Sequence, residues 1–336
     1  MSRQVVTVFG GSGFVGRHLV RRLAAAGAEV RVAVRDFEAA LFLKPAGDVG
    51  QIVPWQTDIN KPEQVATAVA GADVVINLVG ILYQRGQRTF QRIHVDGARI
   101  IAEAASAAGV GRLIHMSALG ADADSHAEYA QTKAAGEAAV REAFPGATIF
   151  RPSVIFGPED GFFNLFAGIM RFTPAMPVIG APALPKVTLG GDDLFSVDFF
   201  GDGGCRFQPV YVGDVAEAMV CAMDDPATAG TTYELGGPKA YSFKEIMELL
   251  LAATGRKRWL FPMPLALAEA DAFFLQFLPK PLLTPDQVKL METDNVLSGD
   301  APGLEAFGID AKTAEAIVPT YLHRFRTPAH RDAHAH

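Results

Sequence analysis

Cysteine is scarce in this chain. Only Cys205 and Cys221 occur in 336 residues, too few for a disulfide framework or a cysteine-built metal site, and in keeping with a reducing compartment. Positive charge is also short: Lys and Arg number 30 against 37 Asp and Glu, a net charge of −7. That excludes nucleic acid as the main partner, because phosphate binding wants a basic surface. No apolar run reaches the roughly 20 residues that cross a bilayer. The nearest, PLALAEADAFFLQFLPKPLL (264–283), is broken by Glu269, Asp271, Gln276, Lys280 and two internal prolines. No repeat recurs at a fixed period. No secretory leader is visible, since the apolar, β-branched run Val5–Phe9 enters the fold directly. The expected location is cytoplasmic, with the cytoplasmic face of a bacterial inner membrane as a peripheral site. Hydrophobic residues make up 49% and charged residues 20%, enough for a large core and too apolar for a disordered chain.

The first half alternates strand-like and helix-like patterns. VVTVF (5–9), EVRVAV (29–34), DVVINLVG (73–80), RLIHMSA (112–118) and ATIFRPSVIFG (147–157) read as strands. Residues 14–27, 62–71, 90–109 and about 127–144 read as helices. Continuous apolar strands alternating with helices imply a parallel sheet covered on both faces. With right-handed crossovers, the predicted class is α/β, a Rossmann-type doubly wound sheet. Residues 180–205 are rich in Gly, Asp and Pro and suggest a hairpin or long loop. A βα-like stretch returns at 207–223. In 231–255 a strand and turn precede a helix capped by Ser242, with Glu245 three residues on. The expected organisation is a dinucleotide-binding domain over 1–157, rejoined by 207–223, a smaller substrate or partner region over 158–206 and 224–326, and a frayed tail at 327–336. Histidines in that tail fit a loose end better than a metal site.

VFGGSGFVG sits between the first strand and first helix, placing Gly10, Gly11, Ser12, Gly13, Phe14, Val15 and Gly16 at the turn. Glycines at 10, 13 and 16 permit a tight turn and close approach of a pyrophosphate to the helix N-terminus. The second strand ends VAVRD. Arg35 stands where a 2′-phosphate would lie, which favours NADPH, and the neighbouring Asp36 keeps NAD as the alternative. Loops at strand C-termini line the cofactor crevice, so Asp58 and Ile59 are expected near the adenine, and Leu78, Val79 and Gly80 beneath the cofactor.

Ser117 ends the fourth strand of this series. Tyr129 and Lys133 follow four residues apart, on one helix face. Tyrosine, with an ordinary pKa near 10, is a poor acid–base catalyst at neutral pH. A nearby ammonium brings it towards the useful range, and a serine hydroxyl can hold a carbonyl in line for hydride and proton.

These motifs, continued by RPSVIFGPED (151–160) and FQPVYVGDVAEAM (207–219), resemble the extended and atypical short-chain dehydrogenase/reductases. Within them the chain is similar to the NADPH-binding accessory subunit of mitochondrial respiratory complex I and its bacterial relatives. The segments are YAQTKAAGEAAVREAFPGATIFRPSVIFGPEDGFFNLFA (129–167), FPMPLALAEA (261–270) and LTPDQVKLMETDNVLSGDAPGLEAFGI (283–309). The resemblance spans about residues 4–326. It implies pyrophosphate at Gly10, Gly13 and Gly16, a 2′-phosphate at Arg35, nicotinamide ribose at Tyr129 and Lys133, and Pro152, Ser153, Val154 and Ile155 beside the nicotinamide. It implies a structural role for Asp214. His94 departs from the pattern, standing where many members carry an asparagine that orders a proton-relay water. The 180–205 insertion is longer than the family's short loop.

Three functions follow as expectations. The first is a complex I-associated accessory or assembly subunit holding NADPH. Its partners would be complex I subunits, with peripheral membrane proximity. The second is a stand-alone NADPH-dependent reductase, or an epimerase- or dehydratase-like enzyme with a small-molecule substrate. The third is a sensor of NADP redox state. The segment LALAEADAFFLQFL is apolar nearly all round, which predicts a buried helix covered by this chain's own core. A partner or a membrane surface is the other cover.

Overall fold

An unbroken run of strong β-formers, Val5–Phe9, explains why the chain opens on a strand. In chain order the first elements are β1 (Val5–Phe9), α1 (Phe14–Ala25), β2 (Glu29–Val34), β3 (Ile52–Gln56), α2 (Pro62–Val69), β4 (Val74–Asn77), α3 (Gly97–Ala107), β5 (Arg112–Met116), α4 (Glu128–Ala143) and β6 (Thr148–Pro152). Next come β7 (Ile155–Phe156), α5 (Phe163–Ile169), β8 (Ala175–Ile179), β9 (Lys186–Leu189), β10 (Phe195–Asp198), β11 (Arg206–Phe207), β12 (Val210–Tyr211), α6 (Val212–Asp224) and β13 (Thr232–Leu235). Last are β14 (Tyr241–Ser242), α7 (Phe243–Thr254), β15 (Trp259–Met263), α8 (Leu265–Leu275), α9 (Pro285–Leu290) and α10 (Ala314–Leu322). This computed structural model describes residues 3–189 and 195–327; the tail expected to fray lies outside them from residue 328.

The chain divides into two units. The first holds residues up to Pro152, Val212–Leu235 and Ser298–Asp310. It is built on one seven-stranded sheet in the order β13-β6-β5-β4-β1-β2-β3, all pairs parallel. The order reverses between β1 and β4, where Phe9 pairs with Asn77. Ligands of such sheets bind outside the strand C-termini at that reversal. β1 shows how the pleat divides the core. Phe9 packs with Val65, Ala68, Ile101 and Leu113 in one cluster, and the Thr7 hydroxyl donates to the Ala68 carbonyl at 2.9 Å. Val8 faces the other way, towards Gly11. α1 buries Leu19, Val20 and Leu23, and α6 buries Val215, Ala216 and Met219. Each large aliphatic side chain so buried contributes about 1.5–3 kcal/mol. β3 is not legible as a strand in the sequence because Pro54 interrupts it. It is the edge strand, where a missing N–H costs nothing.

The second unit holds Ser153–Tyr211, Gly236–Leu297 and the stretch from Ala311 on. Its core is aromatic: Phe156, Phe163 and Phe243 are fully buried, with Phe207, Met176 and Met247 around them. β7 and β12 pair in parallel, as do β8 and β15. β9 and β10 pair antiparallel within the 180–205 insertion. The expected cap on α7 is complete, with Ser242 and Glu245 bonding each other's backbone and Gly255 left-handed at the C-cap.

α8 departs from expectation. Only Ala268 and Ala272 of that helix are buried, while Leu267, Phe273, Phe274 and the following Phe277 are exposed. Small side chains seat the helix on the core through a narrow seam, so the broad apolar face is turned outward and this chain's described residues do not cover it. Among the described residues no helix is long and apolar enough to cross a membrane.

Candidate functional site

The loop between β1 and α1 is shaped by its glycines. Gly10 has φ +79°, a left-handed conformation that other residues adopt only at a cost. At Gly16 a Cβ would lie 2.4 Å from the Gly10 carbonyl oxygen, so no side chain fits. Gly13 differs. It is exposed at the N-cap of α1, its φ of −71° suits any residue, and no side chain caps the helix there. Only the Gly10 oxygen, at 3.1 Å, would touch an added Cβ. The fold barely requires this glycine, but a methyl group would stand over the helix N–H groups that attract a phosphate. Ser12 and Phe14 are half-buried and Val15 is buried.

The end of β4 lies against this loop, since a Cβ on Gly10 would meet Leu78 and Val79 at 3.3–3.4 Å. Asn77 orders the turn by accepting from the Val79 N–H at 3.0 Å. Its amide then donates to His115 Nδ1 at 3.1 Å. One residue on, a Cβ on Gly80 would approach Lys133 Nζ at 3.3 Å and His94 Nε2 at 3.8 Å. The glycine loop, the β4 turn and α4 are thus stitched together.

Lys133 is buried, and its ammonium donates to the Met116 carbonyl at 3.3 Å, immediately before Ser117. Tyr129 is half-buried, edge-on to Phe90 and His94, with Lys133 Nζ 5.9 Å from its ring centroid. Ser117 is buried, its N–H bonded to the Phe150 carbonyl. Its Oγ is the only buried side-chain polar atom among the described residues without a hydrogen-bond partner. An orphaned hydroxyl at a strand end beside an ammonium is an invitation to a ligand oxygen.

Burial pushes the Lys133 amine down from 10.5 to about 8, against an opposing pull from Glu137. An unfolded chain holds that proton to about pH 10.4. Between about pH 8 and 10 the unfolded state therefore binds more protons, so the nucleotide-free protein should grow more stable as pH rises through that window. Nucleotide affinity should fall over the same range, as the ammonium is lost. Melting temperature and binding measured against pH check both signs; a flat profile contradicts a Lys133 whose amine is depressed by burial.

His94 lies in a π-helical turn, Gln91–Asp96. Its Nε2 accepts from the Ile81 N–H at 3.1 Å, so the proton is on Nδ1 and is donated to Thr132 Oγ1 at 3.1 Å. Thr132 passes its own proton to the Glu128 carbonyl at 2.8 Å. Both ring nitrogens are consumed. Burial first, then Lys133, pushes His94 down to about 3, and His115 likewise, so both are neutral at physiological pH.

At the end of β2, Arg35 and Asp36 are both exposed. The Asp36 carboxylate is engaged, accepting from the N–H groups of Glu38 and Ala39 at 3.1 and 3.2 Å to start a 3-10 helix. Asp58 is engaged too, its Oδ1 accepting from the Asn60 backbone and amide. Burial pushes its carboxyl up, but Asn60, Arg35 and Lys61 together hold it lower. The Ile59 side chain joins the core.

Pro152 ends β6, and its carbonyl accepts from the Leu119 N–H. Ser153, Val154 and Ile155 belong to the second unit. There Ser153 Oγ donates to Asn295 Oδ1 at 2.6 Å, and the Val154 carbonyl accepts from Val210. Other residues escaped the sequence reading. Glu137 is buried and held by two bonds from Arg151, at 2.8 and 2.7 Å; its i, i+4 spacing from Lys133 was the available signal. Gly136 lets α4 approach the π turn, since a Cβ there would lie 2.1 Å from the His94 oxygen. Arg88 senses the positive field of Arg35, which, after burial, holds its guanidinium below the ordinary value. Nothing in the sequence marks it.

Comparison with known proteins now bears on the chain. The model of the family described as "NAD dependent epimerase/dehydratase family" matches residues 6–236. Over 329 residues the chain is 34% identical to "NADH dehydrogenase [ubiquinone] 1 alpha subcomplex subunit 9, mitochondrial" of Mus musculus, covering 97% of this chain and 82% of the mouse protein. It is 40% identical over 267 residues to "Ceramide reductase" of Caulobacter vibrioides, covering 78% of this chain and 74% of that protein. Among solved structures, the Citrobacter triphenylmethane reductase complexed with NADP(H) aligns with a TM-score of 0.69 and 17% identity over 94% of this chain and 99% of the reductase. At that identity the likeness establishes the fold.

Proposed function

The chain belongs to the NAD dependent epimerase/dehydratase family, and from that premise we propose that this nicotinamide-dinucleotide-binding protein holds NADPH as a fixed component while serving as an accessory or assembly subunit of an NADH:ubiquinone oxidoreductase. Its place would be the cytoplasmic face of the inner membrane. Gly10 to Gly16 and the α1 N-terminus take the pyrophosphate, with Gly13 keeping the helix end open. Arg35, joined by Arg88, takes the 2′-phosphate. One oxygen of Asp36, Oδ1, accepts from the Glu38 and Ala39 N–H groups, which ties that carboxylate to the turn after β2. The backbone at Asp58 and Ile59 borders the adenine. Leu78, Val79 and Gly80 form the floor. Tyr129 and Lys133 hold the nicotinamide ribose, and the strand end at Pro152 borders the nicotinamide. The cofactor itself would supply hydride.

His94 carries the choice of a held rather than a cycling cofactor. A relay needs a side chain that can bind a water and pass a proton. His94 is neutral, buried and bonded at both nitrogens, so it offers the site no such step. The near full-length likeness to the mouse subunit agrees. A second reading, a reductase, draws on the orphaned Ser117 hydroxyl and on the likeness to the ceramide reductase.

The test is co-migration. A tagged chain expressed in its own host should run with NADH:ubiquinone oxidoreductase activity on a native gel, and its deletion should lower assembled complex. Migration solely as a free chain, with respiratory activity unchanged on deletion, would refute the proposal.

A further inference from the structure

We propose that the outward face of α8, with the cationic start of β15, docks this protein onto an anionic phospholipid bilayer. At about 100° per residue, Leu267, Ala270, Phe273 and Phe274 fall within an arc of roughly 120°. Ala268 and Ala272, the two buried positions, lie diametrically opposite. The acidic residues Glu269 and Asp271 flank the arc and leave it wholly apolar, so the helix itself supplies no cation and attraction to anionic headgroups falls to the preceding strand. Phe274 and Phe277 are 72% and 74% exposed, and the Phe273 ring packs edge-on against both. This is the pattern of a helix lying in an interface, with its apolar face down and its polar groups at the waterline.

The strand leading into α8 supplies the charge. Trp259 is 83% exposed and pairs with Ala175, three residues along the chain from Phe172, also 83% exposed. Arg171 stacks over the Phe172 ring, and Arg258 reaches the Met170 carbonyl. Arg256, Lys257, Arg258 and Trp259, with Pro174 and Leu251, line a concavity of about 500 Å³. Neither 171–181 nor 255–264 contains a carboxylate, although the chain as a whole carries −7. Basic side chains beside an exposed Trp and Phe complement anionic headgroups over an acyl layer. A protein partner is a poorer match, since protein interfaces carry about one hydrogen bond per 100–200 Å² and the α8 arc offers no side-chain donor or acceptor.

This docking stands independently of the cofactor, and one experiment keeps the two apart. Full-length protein is sedimented with vesicles of phosphatidylcholine plus phosphatidylglycerol and with vesicles of phosphatidylcholine alone, and its bound nucleotide is assayed in parallel. The parent should sediment with the mixed vesicles and less with the neutral ones. Phe274→Glu with Phe277→Glu should weaken both by at least about tenfold, with nucleotide content unchanged. Arg171→Glu with Lys257→Glu should weaken the mixed vesicles alone, by about tenfold or more. A parent that stays in the supernatant overturns the proposal. So does either variant binding mixed vesicles like the parent, or a phenylalanine variant whose sole effect is to abolish a dimer.

Discussion

Replacing Glu137 by alanine should lower stability by about 3 kcal/mol, the lower end of the range for breaking a buried ion pair. Glu137 is 2% exposed and accepts both bonds of a fork from Arg151. Its removal would leave the guanidinium pinned against the sheet with only the weaker field of Glu234 as counter-charge. The lower end applies because the Arg151 side chain keeps 28% exposure and can recruit water. A second consequence reaches the site. Glu137 is the group that opposes desolvation of Lys133, so the variant should also bind nucleotide more weakly at neutral pH. Urea unfolding with and without nucleotide measures both. A loss under about 1 kcal/mol, the value typical of exposed pairs, would mean that the fork is ornamental.

Arg35→Ala should cut the preference for NADPH over NADH by about 10–100-fold, since a charge-assisted bond is worth about 1.5–3 kcal/mol. NADH affinity itself should change little, because Arg35 is proposed to meet only the 2′-phosphate. Asp36→Ala is the informative control. If Asp36 were a ribose ligand, its loss would weaken NADH. As the acceptor for the Glu38 and Ala39 N–H groups, it should instead cost stability, about 0.5–1.5 kcal/mol. Competition binding with the two nucleotides decides; an unchanged ratio in Arg35→Ala would remove Arg35 from the phosphate site.

The core of the sheet is readable because β1, β2 and β4 to β6 each carry a run of buried aliphatic or aromatic residues and helices intervene. β3 hid behind Pro54, tolerated only because the strand is an edge. The π turn at 91–96 hid because it extends α3 and differs in its bonding, not in its apolar pattern. Of the two covers expected for α8, its own core is not the one found, because hydrophobicity says that a surface wants covering, not what covers it. In the site, residue types were legible and their engagements were not. Asp36, Asp58 and His94 each stand at a meaningful position, and each is engaged by a neighbour: the Glu38 and Ala39 N–H groups, Asn60, and the Ile81 and Thr132 pair. Glu137 with Arg151 and Asn77 with His115 join segments that only the fold brings together.

The account rests on NADPH held as a fixed part of the molecule, and the most direct measurement is of what the protein carries. The native protein should be purified without added nucleotide and denatured, and the released dinucleotide identified and counted. About one NADPH per chain, slow to exchange with labelled NADPH before denaturation, is the expected result. An empty or rapidly exchanging site, or NAD in place of NADPH, would contradict it.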